Sequence, residues 1–281
     1  MPFTLSHAAA VLPGVRRDGS GRGVLVPSVL IAGSFAPDLT YFAASAVPEA
    51  MEFGTYTHSL PGVVGVDVLI AWVSVGLWLF VREPLVALLP RRWRGAAATL
   101  TRCGVPRARA GSGAVLRWYV SALLGGLTHV TWDAFTHHDR WGSRVLPVLA
   151  RPFSGLPLFT WLQYGTSALA AVVIVLFLVR ALRHVRGAEP VGVPVLSTAD
   201  RWCAVGVLLL CAVPAAVRRA IGWWDYWGRV ATPWDLIPTV CFGAGAGLVV
   251  GVLAYAAGVR VLRRPESAAT AGERRDSLGV R

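Results

Sequence analysis

Five of the six histidines in this chain, His7, His58, His129, His137 and His138, fall within its first 138 residues. Carboxylates accompany them inside or beside apolar runs: Asp38 in APDLTY, Asp67 in GVVGVDVLIAW and Asp133 in LTHVTWDAFTH. Imidazole with carboxylate is the ligand set of zinc and similar divalent ions. An ionisable group at membrane depth is costly, so a functional site or a paired internal contact is its default explanation. His129 and Asp133 stand four residues apart, which on a helix places them on one face about 6 Å apart, able to share an ion. His137 extends the row but stands ~12 Å along the axis from His129. With ligand bonds of about 2.1 Å, one ion cannot take both ends. His137 is left for a second ion, a supporting contact or the substrate.

Other titratable groups have blander readings. Asp67 comes nine residues after His58, on roughly the opposite helix face, and is expected to be a structural hydrogen-bond partner. His138 and Asp139 read as loop residues, and His184 sits among arginines at a surface. Cys103, Cys203, Cys211 and Cys241 form no C-x-x-C pair and are expected to be small buried hydrophobes.

The elements that must position these groups follow from composition. The 281 residues are 55% hydrophobic and 15% charged, against about 45–50% and about 25% in a soluble domain. Too few charges remain to coat a water-soluble surface, so an all-α, polytopic membrane bundle is expected. The net charge is +12, and all 27 basic residues are arginine. Because they lie at the ends of apolar runs, they read as topology signals and exclude nucleic acid as a partner.

A bilayer core needs about 20 apolar residues per helix, and residues 62–81, 115–136, 160–182, 202–221 and 236–260 meet that. The last is rich in small residues (GAGAGLVVG), which allow close helix contact. Gly125 and Gly126 invite the same before His129. Residues 4–15 and 24–37 are shorter and flank RRDGSGRG, which reads as a helical hairpin partly inserted among the other helices. The opening MPFTLSHAAAVLPG lacks a basic stretch, so no cleavable signal peptide is expected. Residues 1–262 form one transmembrane domain, and the polar stretch 263–281 is expected to be a disordered tail.

Arginine-rich stretches at 82–114, 180–186 and 260–264 place those ends and the C-terminus in the cytoplasm of a bacterial plasma-membrane protein, and the hairpin turn fits the same side. Residues 43–58, 137–159 and 222–235 then face outward, the last carrying the aromatic-belt sequence WWDYWGRVATPWD. Antiparallel hairpin arms bring His7 and Asp38 to one outer level. His58 begins its helix there, and His129 and Asp133 lie in the outer half of theirs. Five ligands from four segments, His7, Asp38, His58, His129 and Asp133, thus converge on a joint site for a divalent metal, zinc by preference.

In order along the chain, MPFTLSHAAAVLP, GSFAPDLTYF, YTHSLPG, LLGGLTHVTWDAFTH and LPLFTWLQYGTS resemble domain-of-unknown-function family 4184, a set of bacterial integral-membrane proteins. The resemblance covers approximately residues 1–260. That family is itself similar to predicted membrane-bound metal-dependent hydrolases, which carry an early His, P-D-x-D-H, T-H-S and a later His/Asp helix. The resemblance implies a distantly phospholipase-C-like site with His7, Asp38, His58, His129 and Asp133 at the motif positions. Here the P-D segment reads Pro37-Asp38-Leu39-Thr40-Tyr41, without the second Asp and the His of the hydrolase pattern.

The leading expectation is a hydrolase of a lipid or lipid-linked phosphoester. Asp133 or Glu52 would act as general base, and His137 would protonate the leaving group. Arg218, Arg219 and Arg229 would hold phosphate, unless they only anchor to lipid headgroups. A non-hydrolytic enzyme acting on an isoprenoid or other lipid is the alternative, although no D-D-x-x-D cluster is present. An ion-binding transporter is the third reading. Confinement of the histidines to one half and the lack of a repeat count against it.

Overall fold

The computed structural model describes residues 3–105, 112–138, 140–185, 192–227 and 233–262. The first hairpin arm is a 3-10 turn over Thr4–His7, α1 (Ala8–Val11) and a second 3-10 turn over Leu12–Gly14. The second arm is α2 (Pro27–Phe35), running into a 3-10 turn over Ala36–Asp38. Pro27 opens α2 at a position where a missing amide hydrogen costs nothing. The expected hairpin is therefore present, and its arms pack on each other. A hydrogen bond of 2.6 Å from Thr4 Oγ1 to Asp38 Oδ2 ties the far ends together.

Short helices follow: α3 (Leu39–Ala43), α4 (Ala50–Thr57) and α5 (Leu60–Val64). Ser59 caps α5 by accepting from the Gly62 amide at 3.2 Å. The expected span 62–81 is divided. Gly65 (φ −112°, ψ −85°) breaks it, and α6 (Val66–Leu88) carries the apolar run seven residues further than expected. The long helices are α8 (Ser112–Thr136), α10 (Leu158–His184), α11 (Thr198–Trp227) and α12 (Pro233–Leu262). They overrun the hydropathy boundaries because their polar end turns remain helical.

Four of these, Val66–Leu88, Leu158–His184, Thr198–Tyr226 and Leu236–Leu262, are long and apolar enough to cross a membrane. The protein is thus an all-α, membrane-type bundle. Helix α8, the remaining expected span, is helical over 112–136 but is not among those four. Thr128, His129, Thr131, Asp133 and Thr136 dilute its apolar character. Its rise of roughly 37 Å would still suffice for a bilayer.

Between the long helices, α7 (Arg91–Cys103) occupies what reads in sequence as a loop. Its AAA run favours helix, and Ala96, Ala97 and Ala98 are buried. Arg102 anchors it through Nη2 to Glu83 Oε2 at 2.8 Å. After α8 come α9 (Trp141–Val145) and a two-residue hairpin of β1 (Pro152–Phe153) and β2 (Leu156–Pro157). Its turn needs positive φ at Ser154 (48°) and Gly155 (84°).

Glycine sets how closely the helices approach. A Cβ on Gly33 would lie 2.3 Å from the Ala122 carbonyl oxygen, and one on Gly125 would lie 2.3 Å from that of Leu30. Helices α2 and α8 therefore meet backbone to backbone, as expected of Gly125. In the C-terminal pair, a Cβ on Gly247 would stand 2.2 Å from the Cys211 oxygen and one on Gly243 would stand 2.7 Å from that of Ala215. This α11–α12 contact is the role expected of the small residues in 236–260. The cysteines are unpaired, as expected, but Cys103, Cys203 and Cys241 are exposed rather than buried. They lie on outward helix faces.

Candidate metal centre

The α2–α8 contact brings the polar residues together. Asp38 ends the second hairpin arm, His58 follows the last turn of α4, and His129 and Asp133 project from one face of α8. One ligand atom from each of these four residues lies within 4.8 Å of all the others. His58 Nε2 is 3.5 Å from Asp38 Oδ1 and 3.4 Å from Asp133 Oδ2. His129 Nε2 is likewise 3.5 Å from Asp38 Oδ1 and 3.4 Å from Asp133 Oδ2. Four bonds of about 2.1 Å at tetrahedral angles would place neighbouring donors about 3.4 Å apart. These separations are too long for good hydrogen bonds and match four of the six edges of such a tetrahedron.

Hydrogen bonding agrees. Among the described residues, Asp38 Oδ1, His58 Nε2, His129 Nε2 and Asp133 Oδ2 are buried without a hydrogen-bond partner. Such atoms are uncommon and costly in a folded interior. The remaining polar atoms of the same side chains are mostly engaged. His129 Nδ1 lies 2.8 Å from the Ser34 carbonyl, and His58 Nδ1 lies 2.8 Å from the Gly54 carbonyl. A carbonyl only accepts, so each Nδ1 carries a proton, and each Nε2 is left facing the two carboxylates. Asp38 Oδ2 is taken by Thr4 Oγ1, and Thr57 Oγ1 donates to the Pro37 carbonyl at 2.8 Å, fastening α4 to the Asp38 turn. Burial disfavours the His58 imidazolium, yet Asp133 and Asp38 more than offset this, and its pKa lies above the ordinary value.

The other expected site residues are placed as follows. His7 is 1% exposed and stands beside the four-atom cluster, its Nε2 3.4 Å from the other Asp133 oxygen, Oδ1. His137 reaches the same oxygen from one turn further, with Nδ1 3.5 Å away. Desolvation pushes the His137 imidazole down to about 3, so it is neutral at physiological pH. Glu52 is exposed on α4 and lines a surface pocket with Glu49 and Tyr56, not the buried cluster. Arg218 and Arg219 clasp Ser45, through its carbonyl and its hydroxyl respectively, and so brace the α3–α4 turn against α11. Arg229 and Asp139 lie outside the described residues. His138 and His184 are exposed, as expected.

Asp67 departs from its expected role. It is 1% exposed, and neither carboxylate oxygen has a hydrogen-bond partner. It sits in the first turn of α6, at the positive end of the helix dipole.

Two residues at the centre are not singled out by sequence reasoning. The Tyr41 ring lies 5.5 Å from that of His58, and the positive charge of Arg140 acts on its hydroxyl. Arg140 is the N-cap of α9, which is pressed onto α8 at Gly142, where a Cβ would lie 2.4 Å from the Ala134 oxygen. That Gly, nine residues after Asp133, was the available signal. On another face of α8, an open and largely apolar groove of about 590 Å³ is lined in part by Leu124, Leu127, Trp132, Phe135 and Leu162.

Fold and site together define a helical membrane-type bundle with a buried His/Asp cluster fit for a metal ion. The chain belongs to the family described as Domain of unknown function (DUF4184), which it matches over residues 1–257. No curated protein and no solved structure matches it.

Proposed function

We propose that this protein is a multi-pass enzyme of the bacterial plasma membrane, its C-terminus cytoplasmic. In this reading it hydrolyses a lipid or lipid-linked phosphoester at a site for a divalent metal, zinc by preference. The observation that carries the reading is the set of four inward-facing donor atoms without hydrogen-bond partners, four of whose separations are 3.4–3.5 Å. Asp38, His58, His129 and Asp133 would hold the ion, and the Ser34 and Gly54 carbonyls with Thr4 orient three of them. Bound there, such an ion supplies Lewis acidity and an acidified water.

The chain's own groups account for the rest of the substrate. Arg140, held beside Tyr41, offers a guanidinium to a phosphoryl oxygen, a role that Arg218 and Arg219 can take up only by releasing Ser45. The open apolar groove along α8 offers space for a lipid tail. The resemblance of the motifs to membrane-bound metal-dependent hydrolases points the same way.

The test is a panel of phospholipids and p-nitrophenyl phosphoesters given to detergent-purified protein and to the His129→Ala/Asp133→Ala variant. Hydrolysis of at least one substrate, lost in the variant and on chelation, is expected. A metal-loaded, folded protein inert toward the whole panel would contradict the hydrolase reading.

A further inference from the structure

We infer that the N-terminal end of α7 is a binding site for a phosphate group, gripped by Arg94 together with Arg91 and Arg92. Helix α6 begins shortly after His58 and rises roughly 35 Å over its length. Leu89 and Pro90 then turn the chain into α7. The site is therefore remote from the His/Asp cluster and does not depend on what that cluster binds.

Helix α7 starts with its capping needs unmet. Its N-cap is Pro90, no side chain caps it, and no carboxylate stands in its first turn. The Trp93 amide donates to the Pro90 carbonyl at 2.9 Å, while among the described residues the Arg91 and Arg92 amides have no acceptor. Free amides and the positive end of a helix dipole favour an anion. The first turn instead carries Arg91, Arg92 and Arg94, which add like charge.

Arg94 is the second, independent sign of a ligand. It is 7% exposed, yet no ion pair to a described carboxylate neutralises it. Its Nε donates to the Leu89 carbonyl at 2.9 Å, which folds the guanidinium back over the open end of the helix. Its Nη2 is buried without a hydrogen-bond partner. A buried guanidinium lacking a counter-charge is costly. The nearest carboxylate along the chain, Glu83, is taken, because Arg102 Nε and Nη2 hold its two oxygens at 2.9 and 2.8 Å. Helix α10, which packs on α7, ends in Arg183 and His184 and brings no acid. A phosphate group answers each need, with several acceptor oxygens for the guanidinium fork and the free amides. Arg91 and Arg92 are exposed at the rim, where they can close over the same oxygens. A lipid headgroup and free phosphate both present this chemistry.

Hydrogen exchange of residues 89–94, in metal-stripped full-length protein held in phosphatidylcholine nanodiscs, tests the site. Metal stripping keeps phosphate from gathering at the other centre. Phosphatidic acid in the bilayer, or inorganic phosphate in solution, should slow exchange there in proportion to its occupancy. Slowing by the lipid alone assigns a headgroup, and equal slowing by phosphate in plain nanodiscs assigns the free ion. Arg94→Gln should weaken the apparent affinity about tenfold or more, with metal content unchanged. The exposed pair Arg91→Ser/Arg92→Ser should weaken it too, and serves where Arg94→Gln does not fold. If neither anion slows exchange in the unaltered protein, or if the variants are slowed equally, the site is overturned.

Discussion

The two halves of the bundle use burial in opposite ways. Residues up to α9 enclose His7, Ser34, Asp38, Thr57, Asp67, Ser121, His129 and Asp133, whereas Gln163 and Ser167 are the buried polar residues among the described parts of α10–α12. In the first half, the long helices α6 and α8 are accompanied by short, interrupted ones, and three of the breaks deliver cluster residues or their neighbour: Asp38 at a 3-10 turn, His58 after α4 and His7 at the start of α1. The second half consists of uninterrupted helices packed through Gly243, Gly247 and Gly251. Broken backbone at depth is tolerated where it lines a polar site, and continuous helix serves where only apolar packing is required. One half is shaped to hold something, and the other to support it.

The largest effect should come from the polar half. Asp133→Ala removes a donor shared by every histidine in the cluster and should abolish stoichiometric metal binding, measured by elemental analysis. Thr4→Val keeps the volume but frees Asp38 Oδ2, and loss of such a supporting contact should weaken affinity about 10–100-fold, read by competition with a chelating dye. Acid should act in the same direction. Ion binding requires neutral His58, whose proton is held above the ordinary pKa of about 6.5 by Asp133 and Asp38. Affinity should therefore begin to fall as pH drops through that raised value, with protons released on binding at neutral pH.

Matched substitutions sharpen the contrast between the halves. Gly33→Val forces α2 from α8 and displaces the Ser34 carbonyl that orients His129, so it should lower both metal affinity and thermal stability. Gly247→Val overpacks α11 against α12 and should cost about 1–3 kcal/mol of stability with metal content unchanged. Smallest of all, Arg218→Ala should leave metal content untouched and lower the melting temperature slightly, because it loosens only the Ser45 turn. Loss of metal in Gly247→Val or Arg218→Ala would break the division between the halves.

Much of this was legible in the sequence, for identifiable reasons. The spacing of His129 and Asp133 fixes a shared helix face whatever the tertiary structure, and antiparallel hairpin arms force His7 and Asp38 to one level. The long helices show in hydropathy because their outward faces meet an apolar surround. The remainder depends on contacts between distant segments. Arg140 reaches the site only because α9 folds back on Gly142. Arg218 and Arg219 are drawn away by Ser45, 173 and 174 residues earlier. Glu52 shares the outer loop with His58, but α4 turns it outward. Helix α7 is hidden in a loop by its arginines and shown by its alanines. Local pattern specifies faces and levels, while the choice of which arginine or carboxylate turns inward is settled by packing.

The central claim, a buried ion held by Asp38, His58, His129 and Asp133, is tested most directly by metal analysis of detergent-purified protein beside the His129→Ala/Asp133→Ala variant, both monodisperse and equally helical. At least one divalent ion per chain in the unaltered protein, and almost none in the variant, is the predicted result. Equal, negligible metal in both after exposure to zinc and manganese would contradict it.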